Sequence, residues 1–132
     1  MSAAALNQFR LDGRVVLVTG ASSGLGTHFA QLLASVGARV AVAARRADKL
    51  QAVVDGITAV GGQARALSLD VADAASVRAC FDELASWGAP DVVINNAGVT
   101  VTRPLLEHTE ADFDQVLDTN LKGCWLVATE AA

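Results

Sequence analysis

The fold of this chain is decided by one short stretch, Thr19-Gly20-Ala21-Ser22-Ser23-Gly24-Leu25-Gly26. Before it, residues 15–18 are continuously apolar, as expected for a parallel strand that is covered on both faces. After it, apolar residues recur with the 3.6-residue period of a helix. The stretch therefore predicts a strand, a Gly-rich turn and a helix, which together open a βαβ unit.

Three further apolar segments repeat this arrangement along the chain. The four predicted strands cover residues 14–19, 38–44, 64–69 and 91–95, and a helical pattern follows each of them. Such alternation predicts the α/β fold class, with a Rossmann-type doubly wound parallel sheet of strand order 3-2-1-4 in a three-layer α/β/α arrangement. We interpret residues 1–132 as a single dinucleotide-binding domain of this kind.

Two of the predicted helices carry specific expectations. The first is expected to bury an apolar face formed by Leu25, Phe29, Leu32, Leu33 and Val36. Later, Thr109 and Asp112 form a capping-box pattern, which predicts one long helix running toward residue 132. Its apolar residues, Leu121 and Trp125 among them, would lie either in the core or against a partner helix.

A doubly wound sheet binds ligands outside the carboxyl ends of its strands, where the strand order reverses. In this chain that switch point lies between the first and fourth strands. The loops at these two strand ends are the Gly-rich turn and the run Asn95-Asn96-Ala97-Gly98. We therefore expect both loops to line one crevice.

Each glycine of the turn has a separate predicted use. Gly20 makes the tight turn out of the strand, Gly24 lets a pyrophosphate approach the backbone, and Gly26 allows close packing of helix on sheet. Ser22 and Ser23 add hydroxyl groups and free amides at a helix N-terminus, which favours an anion. The alternative is an ordinary Gly/Ser turn. However, the position of the three glycines between an apolar strand and an amphipathic helix favours dinucleotide binding.

Arg45 and Arg46 follow the second strand, where NAD-binding proteins place a carboxylate for the ribose 2′-hydroxyl. An arginine at this position could instead bind a 2′-phosphate through charge-assisted hydrogen bonds. We therefore expect NADP as the cofactor, with NAD as the less favoured choice. The alternative is a pair of solvated arginines at the end of a strand.

Asp70 follows the third strand at the same edge of the sheet, where its carboxylate could accept a hydrogen bond from the adenine amino group. The competing interpretation is that Asp70 or Asp73 caps the next helix, which fits Asp73 better. Asn120 lies in an otherwise apolar helical stretch, where its amide needs partners.

Composition excludes several classes of function. The chain has 10 basic and 14 acidic residues and a net charge of -4, so no nucleic acid or membrane surface is expected as a partner. Cys80 and Cys124 have no metal-spaced neighbours, and we expect two buried thiols in a cytoplasmic protein. Residues 1–8 have no basic start before their apolar stretch and are expected to form a tail.

These motifs, in this order, resemble the short-chain dehydrogenase/reductase family over nearly the whole chain. The resemblance implies that residues 20–26, Leu25 included, hold the pyrophosphate and that Asp70 and Val71 flank the adenine. It also implies that Asn96, Ala97 and Gly98 support the cofactor. Asn120 would belong to the catalytic tetrad. The implied activity is hydride transfer between NADP(H) and a small alcohol or ketone, in a homo-oligomer that associates through the helix with Asn120.

The sequence departs from this family in two respects. Many NADP-preferring relatives carry a basic residue in the glycine turn, where this chain has Ser23, so Arg45 would supply most of the selectivity. The family's catalytic Ser and its Tyr-x-x-x-Lys pair are missing, and the chain contains no tyrosine. We expect a truncated, inactive cofactor-binding half of an oxidoreductase. The alternatives are a non-catalytic dinucleotide-binding or regulatory module and an inactive interaction protein.

Overall fold

The computed structural model describes residues 7–132, so residues 1–6 of the predicted tail lie outside the described residues. Four strands pair in parallel in the order β3-β2-β1-β4. Their bounds are β1 (Val15–Thr19), β2 (Arg39–Ala44), β3 (Gln63–Ser68) and β4 (Val92–Ile94). The order confirms the predicted Rossmann-type doubly wound sheet, with each strand within a residue or two of its expected position.

Five α-helices accompany the sheet in the described part of the chain. They are α1 (Gly24–Ser35), α2 (Ala47–Ala59), α3 (Ala74–Ala85), α4 (Glu110–Leu117) and α5 (Gly123–Ala131). A short 3₁₀ turn, Leu105–Glu107, precedes α4, and a π-helical turn, Asp118–Lys122, joins α4 to α5.

Alternate residues of each strand point to opposite faces of the sheet, and helices cover both faces. Val16, Val18, Val40 and Val42 belong to a core cluster that includes buried residues of α1 and α2. On the other face, Leu17, Ala41 and Ala43 pack with buried residues of α3 and with Val127 of α5. The three-layer α/β/α arrangement is therefore present.

The predicted core face of α1 is correct in part, because Phe29 and Leu33 pack against the core cluster, but wrong for Leu25 and Leu32. The buried residues of this helix are Gly26, Ala30 and Ala34, whereas Leu25 and Leu32 are 66% and 52% exposed. Phe29, Leu33 and Val36 are only partly buried. Small residues at four-residue spacing let the helix approach the sheet closely, and the large apolar residues flank the contact instead of filling it.

The long helix predicted after Thr109 begins as expected but is not continuous. The capping box is present, because Thr109 Oγ1 accepts from the Asp112 N–H while the Asp112 carboxylate accepts from the Thr109 N–H. The π turn then interrupts the helix. Its large apolar side chains are exposed on the outer side, with Phe113 60%, Leu117 38%, Leu121 66% and Trp125 61% exposed, so none of the four is part of the core.

One of the two thiols is not buried. Cys80 lies in the core beneath the sheet, as predicted, but Cys124 is exposed. Helix α5 buries Gly123 and Val127, which are four residues apart on one face. Cys124 directly follows Gly123 in the helix, so its side chain points away from the buried face. The prediction of two buried thiols is therefore wrong for Cys124.

No helix between residues 7 and 132 combines the length and the apolar character that a membrane span requires.

Candidate functional site

A crevice of about 300 Å³ lies at the carboxyl ends of the strands. It contains ten of the residues that the sequence singled out, namely Gly20, Ser22, Ser23, Arg45, Arg46, Asp70, Val71, Asn96, Ala97 and Gly98. Gly24, Leu25, Gly26 and Asn120 are not in its lining. The two loops that follow β1 and β4 thus meet at the switch point of the sheet.

Two glycines of the turn adopt a backbone conformation that other residues rarely adopt. Gly20 has φ +65° and Gly24 has φ +55°. A Cβ on Gly20 would lie 2.8 Å from Ala97 Cα, so this glycine lets the two loops touch. A Cβ on Gly24 would have no described atom within 4 Å, so the backbone there is open to a ligand.

Gly26 allows a close contact at the start of α1. A Cβ on Gly26 would press on the Gly20 carbonyl oxygen and lie 2.6 Å from Asn96 Nδ2. Its absence lets the first turn of α1 pack on the Gly-rich turn and on the Asn96 side chain, at the ends of β1 and β4. The glycine thereby sets the position of the helix N-terminus.

The N-terminus of α1 supplies unpaired donors at one end of the crevice. Ser23 is the N-cap residue, in an extended conformation, and its side chain makes no capping hydrogen bond with any described residue. The amides of the first turn donate to no acceptor in residues 7–132, and the helix dipole adds partial positive charge there. Such an end binds phosphate groups well.

Thr19 and Asn96 join the two loops. Thr19 Oγ1 accepts hydrogen bonds from the N–H groups of Asn96 and Ala97, each at 3.0 Å. Asn96 Nδ2 donates to the carbonyl oxygens of Thr19 at 3.0 Å and Gly20 at 3.2 Å. The Asn96 amide therefore connects the ends of β1 and β4.

Asn120 lies in the π turn, and both ends of its side-chain amide form a hydrogen bond. Its Oδ1 accepts from the Val99 N–H and its Nδ2 donates to the Val99 carbonyl, both at 2.8 Å. A Cβ on Gly98 would lie 3.3 Å from the same Oδ1. Asn120 thus has the partners that its amide requires, and it fixes the backbone at the end of the crevice.

Asp70 and Val71 form the opposite wall. Asp70 Oδ1 accepts from the Ala72 N–H at 3.0 Å. Val71 is buried, and it packs against α5 at Gly123, where an added Cβ would lie 2.7 Å from Val71 Cγ2. Asp73 caps α3 by accepting from the Ala75 N–H at 2.9 Å, which confirms the capping role preferred for it.

Arg45 and Arg46 are exposed at the end of β2. Arg46 Nη2 donates to Ser22 Oγ at 3.5 Å, a long contact across the crevice mouth. Within residues 7–132, neither guanidinium forms an ion pair with a carboxylate. Both positive charges therefore remain available to an anionic ligand.

Several residues of this site were not predicted from the sequence. Ala44, Leu69, Val99 and Thr119 also line the crevice, and Thr19 joins its loops. Thr19 carried a signal, because it is a polar residue that ends an otherwise apolar buried strand. Val99 and Thr119 carried none, since they reach the crevice only through the loop after β4 and through the π turn.

The loop that follows β4 is also fixed at its far end. Arg103 Nη1 lies 3.4 Å from Asp112 Oδ2, and the His108 ring contacts the Arg103 carbonyl oxygen at 3.2 Å. Hydrogen bonds from the N–H and hydroxyl groups of Thr109 lower the pKa of the Asp112 carboxyl. Nowhere in residues 7–132 do three His, Cys, Asp or Glu residues come together as metal ligands.

A parallel sheet with a Gly-rich turn and a crevice at its switch point defines the chain as a Rossmann-type α/β protein. Comparison with known proteins gives the family. A family model described as short chain dehydrogenase matches residues 14–132. The chain therefore belongs to the short chain dehydrogenase family, which confirms the resemblance found in the sequence.

Three relatives show the extent of the similarity. D-threitol dehydrogenase of Mycolicibacterium smegmatis is 42% identical over 120 residues, which are 90% of this chain and 46% of that protein. A 3-oxoacyl-(acyl-carrier-protein) reductase of Staphylococcus aureus is 46% identical over 109 residues, which are 81% of this chain and 44% of the relative. The structure of a Burkholderia cenocepacia gluconate 5-dehydrogenase in complex with NADP and tartrate matches with a TM-score of 0.89 and 37% identity, over 96% of this chain and 50% of that one. The chain thus spans about half the length of the relatives it matches.

Proposed function

We propose that the crevice binds NADP(H) and that this chain is the cofactor-binding portion of an oxidoreductase. The observation that carries the proposal is the meeting of the Gly-rich turn, Asp70 and Arg45 in one crevice at the switch point of the sheet. The enzyme would transfer hydride between NADP(H) and a small alcohol or ketone. We propose that residues 1–132 belong to one dinucleotide-binding domain.

The glycine turn fits a pyrophosphate. Gly24 leaves open space above the backbone, and the free amides that follow Ser23 lie at a helix N-terminus. An anion there would gain hydrogen bonds and a favourable interaction with the helix dipole. Ser22 and Ser23 place two further hydroxyl groups at the same end of the crevice.

Arg45 supports NADP over NAD. Arg45 lines the crevice at the end of β2, and no carboxylate occupies that strand end to repel a 2′-phosphate. One good charge-assisted hydrogen bond contributes about 1.5–3 kcal/mol, which corresponds to about a ten- to hundredfold preference. The relative crystallised with NADP is consistent with this choice.

The wall formed by Asp70 and Val71 would hold the adenine. Val71 provides an apolar surface fixed against Gly123, and Asp70 carries a carboxylate oxygen for the adenine amino group. At the other end, Asn120 and Asn96 would maintain the backbone against which the rest of the cofactor lies. This contact pattern makes Asn120 a positioning residue in this proposal, while a direct catalytic role stays a prediction.

The reaction class rests on the relatives, which are named as dehydrogenases and reductases and thus favour an enzyme over a non-catalytic module. A bound nicotinamide supplies or accepts the hydride. The Tyr and Lys that the family resemblance implies for proton transfer are not among these 132 residues, which contain no tyrosine. We therefore expect cofactor binding without turnover from this chain by itself.

We also propose that a second copy of the chain covers the outer side of α4 and α5. Leu117, Leu121 and Trp125 are exposed there around a groove of about 440 Å³, flanked by Asp118 and Lys122. An exposed apolar patch rimmed by charges is typical of a protein interface. A cytoplasmic location stays a prediction from the sequence.

A direct titration tests the proposed cofactor. Binding of NADPH and of NADH to the protein is measured by the change in nicotinamide fluorescence. We expect NADPH to bind at least tenfold more tightly, on the order of one charge-assisted contact. Equal affinities would remove the case for NADP, and no binding of either dinucleotide would contradict the proposed function.

A further inference from the structure

Ser76 is a residue to which neither the motifs nor the crevice lining assigns a role. It lies in the first turn of α3 and is partly buried. Its hydroxyl oxygen accepts a hydrogen bond from the Asp70 N–H at 2.9 Å. A side chain of a rigid helix is thereby joined to the backbone of a residue in the crevice wall.

Two further groups of Asp70 also form hydrogen bonds. Its carbonyl oxygen accepts from the Asp73 N–H at 3.2 Å, and its Oδ1 accepts from the Ala72 N–H at 3.0 Å. Within residues 7–132, no further donor reaches this carboxylate. Backbone donor, backbone acceptor and one carboxylate oxygen are therefore engaged, and Oδ2 is left for a ligand.

We propose that Ser76 is a positioning residue that gives the crevice its selectivity for adenine, by holding Asp70 Oδ2 in place for the exocyclic amino group. This inference rests on the proposed binding of NADP(H). The purine and the 2′-phosphate are then recognised by separate groups, Asp70 with Ser76 for the base and Arg45 for the phosphate.

Adenine and hypoxanthine differ in the group that a carboxylate at this position would contact. Adenine carries an amino group that donates hydrogen bonds, whereas hypoxanthine carries a carbonyl oxygen at the same position. A fixed carboxylate oxygen accepts from the amino group but repels the carbonyl oxygen. If Asp70 can move, the repulsion is relieved and the donor is poorly aligned, so both sources of selectivity weaken together.

Removal of the Ser76 hydroxyl should allow Asp70 to move. Ser76→Ala leaves the Asp70 N–H without its acceptor, and the loop loses its side-chain attachment to α3. Asp73 still caps the helix through Ala75, so α3 retains its N-terminal cap. The expected consequence is a loss of selectivity at the base.

The test compares NADPH with its reduced hypoxanthine counterpart, in which the adenine amino group is replaced by oxygen. Both ligands carry the same fluorescent nicotinamide, so one titration measures either affinity. We expect the unmodified protein to prefer the adenine form by about tenfold, and Ser76→Ala to reduce that ratio to about twofold. Ser76→Thr, which keeps a hydroxyl group, should restore the ratio.

Ser35→Ala is the matched control, because Ser35 donates to the Leu32 carbonyl at 2.7 Å on the exposed last turn of α1. It should leave the ratio unchanged. Ser76→Cys, which has a similar volume and a much weaker acceptor, gives the same test if the alanine variant does not fold.

Equal weakening of both ligands by Ser76→Ala, or no change at all, would overturn the inference, because a purely structural role lowers both affinities alike. Failure of the unmodified protein to bind either dinucleotide would overturn the proposed function and this inference with it. If the unmodified protein binds NADPH but Ser76→Ala keeps the same ratio of affinities, only the inference about Ser76 is overturned.

Discussion

Asn120 holds the backbone of Val99 with both ends of its amide, at 2.8 Å for each hydrogen bond. The contact joins the π turn between α4 and α5 to the loop that follows β4. Thr119, the preceding residue of the same turn, lines the crevice, whereas Leu121 faces outward. One turn of helix therefore supports the crevice on its inner side and carries the exposed apolar residues on its outer side.

Asn120→Ala should loosen the loop that follows β4. Two hydrogen bonds are lost, but water can reach the freed groups, so we expect the free energy of unfolding to fall by about 1 kcal/mol. NADPH affinity should fall several-fold because the Val99 backbone is no longer fixed. Urea unfolding and fluorescence titration measure the two effects.

Gln51→Ala is the control for this variant, because Gln51 uses its side-chain amide on Asp55, at 2.8 Å, on the exposed surface of α2. It should affect neither quantity by more than a few tenths of a kcal/mol. Unchanged NADPH affinity in Asn120→Ala would show that the contact with Val99 does not support cofactor binding.

Gly26→Ala tests the close packing of α1 on the Gly-rich turn. The added methyl group would collide with the Gly20 carbonyl oxygen and with Asn96 Nδ2, which donates to the Thr19 carbonyl at the C-terminal end of β1. We expect a loss of about 1–3 kcal/mol in stability, as for an overpacked core, and loss of NADPH binding. Thermal unfolding and titration provide the measurements.

Gly56→Ala is a matched substitution in α2, where an added Cβ meets no described atom within 4 Å. Alanine is the better helix former, so this variant should be as stable as the unmodified protein or up to about 1 kcal/mol more stable. A Gly26→Ala protein that is equally stable and still binds NADPH would contradict the packing shown here.

The two thiols should differ in reactivity. Cys124 is exposed and should react with a thiol reagent in the folded protein, whereas Cys80 should react only on unfolding. Burial raises the pKa of the Cys80 thiol to about 11 from its ordinary value of 9.0. Counting of reactive thiols with and without urea, checked with Cys124→Ser, tests the assignment.

The same burial predicts a dependence of stability on alkaline pH. Between pH 9.0 and about 11 the unfolded chain loses the Cys80 proton while the folded protein retains it. Ionisation then favours the unfolded state, so this contribution to stability is complete below pH 9.0 and is lost by about pH 11. Cys80→Ala should show a smaller fall in the free energy of unfolding over this range, and an identical fall would refute the prediction.

Trp125→Glu tests whether a second copy covers the outer side of α4 and α5. Trp125 is 61% exposed and lines the apolar groove, so a carboxylate there should disrupt an interface without disturbing the core. Sedimentation should show a shift toward the monomer. Val60→Glu, at an apolar residue of α2's C-terminal end that is 85% exposed, should not change the oligomeric state. If the unmodified protein is already monomeric, the proposal that a second copy covers α4 and α5 is contradicted.

Much of the fold follows from local patterns in the sequence. Buried parallel strands are short and apolar, and Gly37 and Gly61, which both have positive φ, follow α1 and α2. These signals predict the alternation of strands and helices. Right-handed crossovers between parallel strands then predict the strand order. The side of α1 that packs could be predicted only in part, because close approach to the sheet favours Ala30 and Ala34 over the leucines that dominate a hydrophobicity pattern.

The residues of the site could be predicted only where they come directly after a strand in the sequence. The glycine turn, Arg45 and Asp70 do so, and the structure places them in one crevice. Val99 and Thr119 depend on the path of a loop and on a π turn, and a helical period cannot reveal an extra residue inserted in a turn. The same insertion explains why a single long helix was predicted where two are present.

The central claim is that Arg45 selects NADP(H) in this crevice, and titration of Arg45→Ala with NADPH and NADH tests it most directly. Arg78→Ala, at an exposed arginine of α3 outside the crevice, is the control. We predict that Arg45→Ala weakens NADPH binding by about ten- to a hundredfold and NADH binding by no more than about twofold, while Arg78→Ala changes neither. Equal losses for the two cofactors in Arg45→Ala, or no loss for NADPH, would contradict the account.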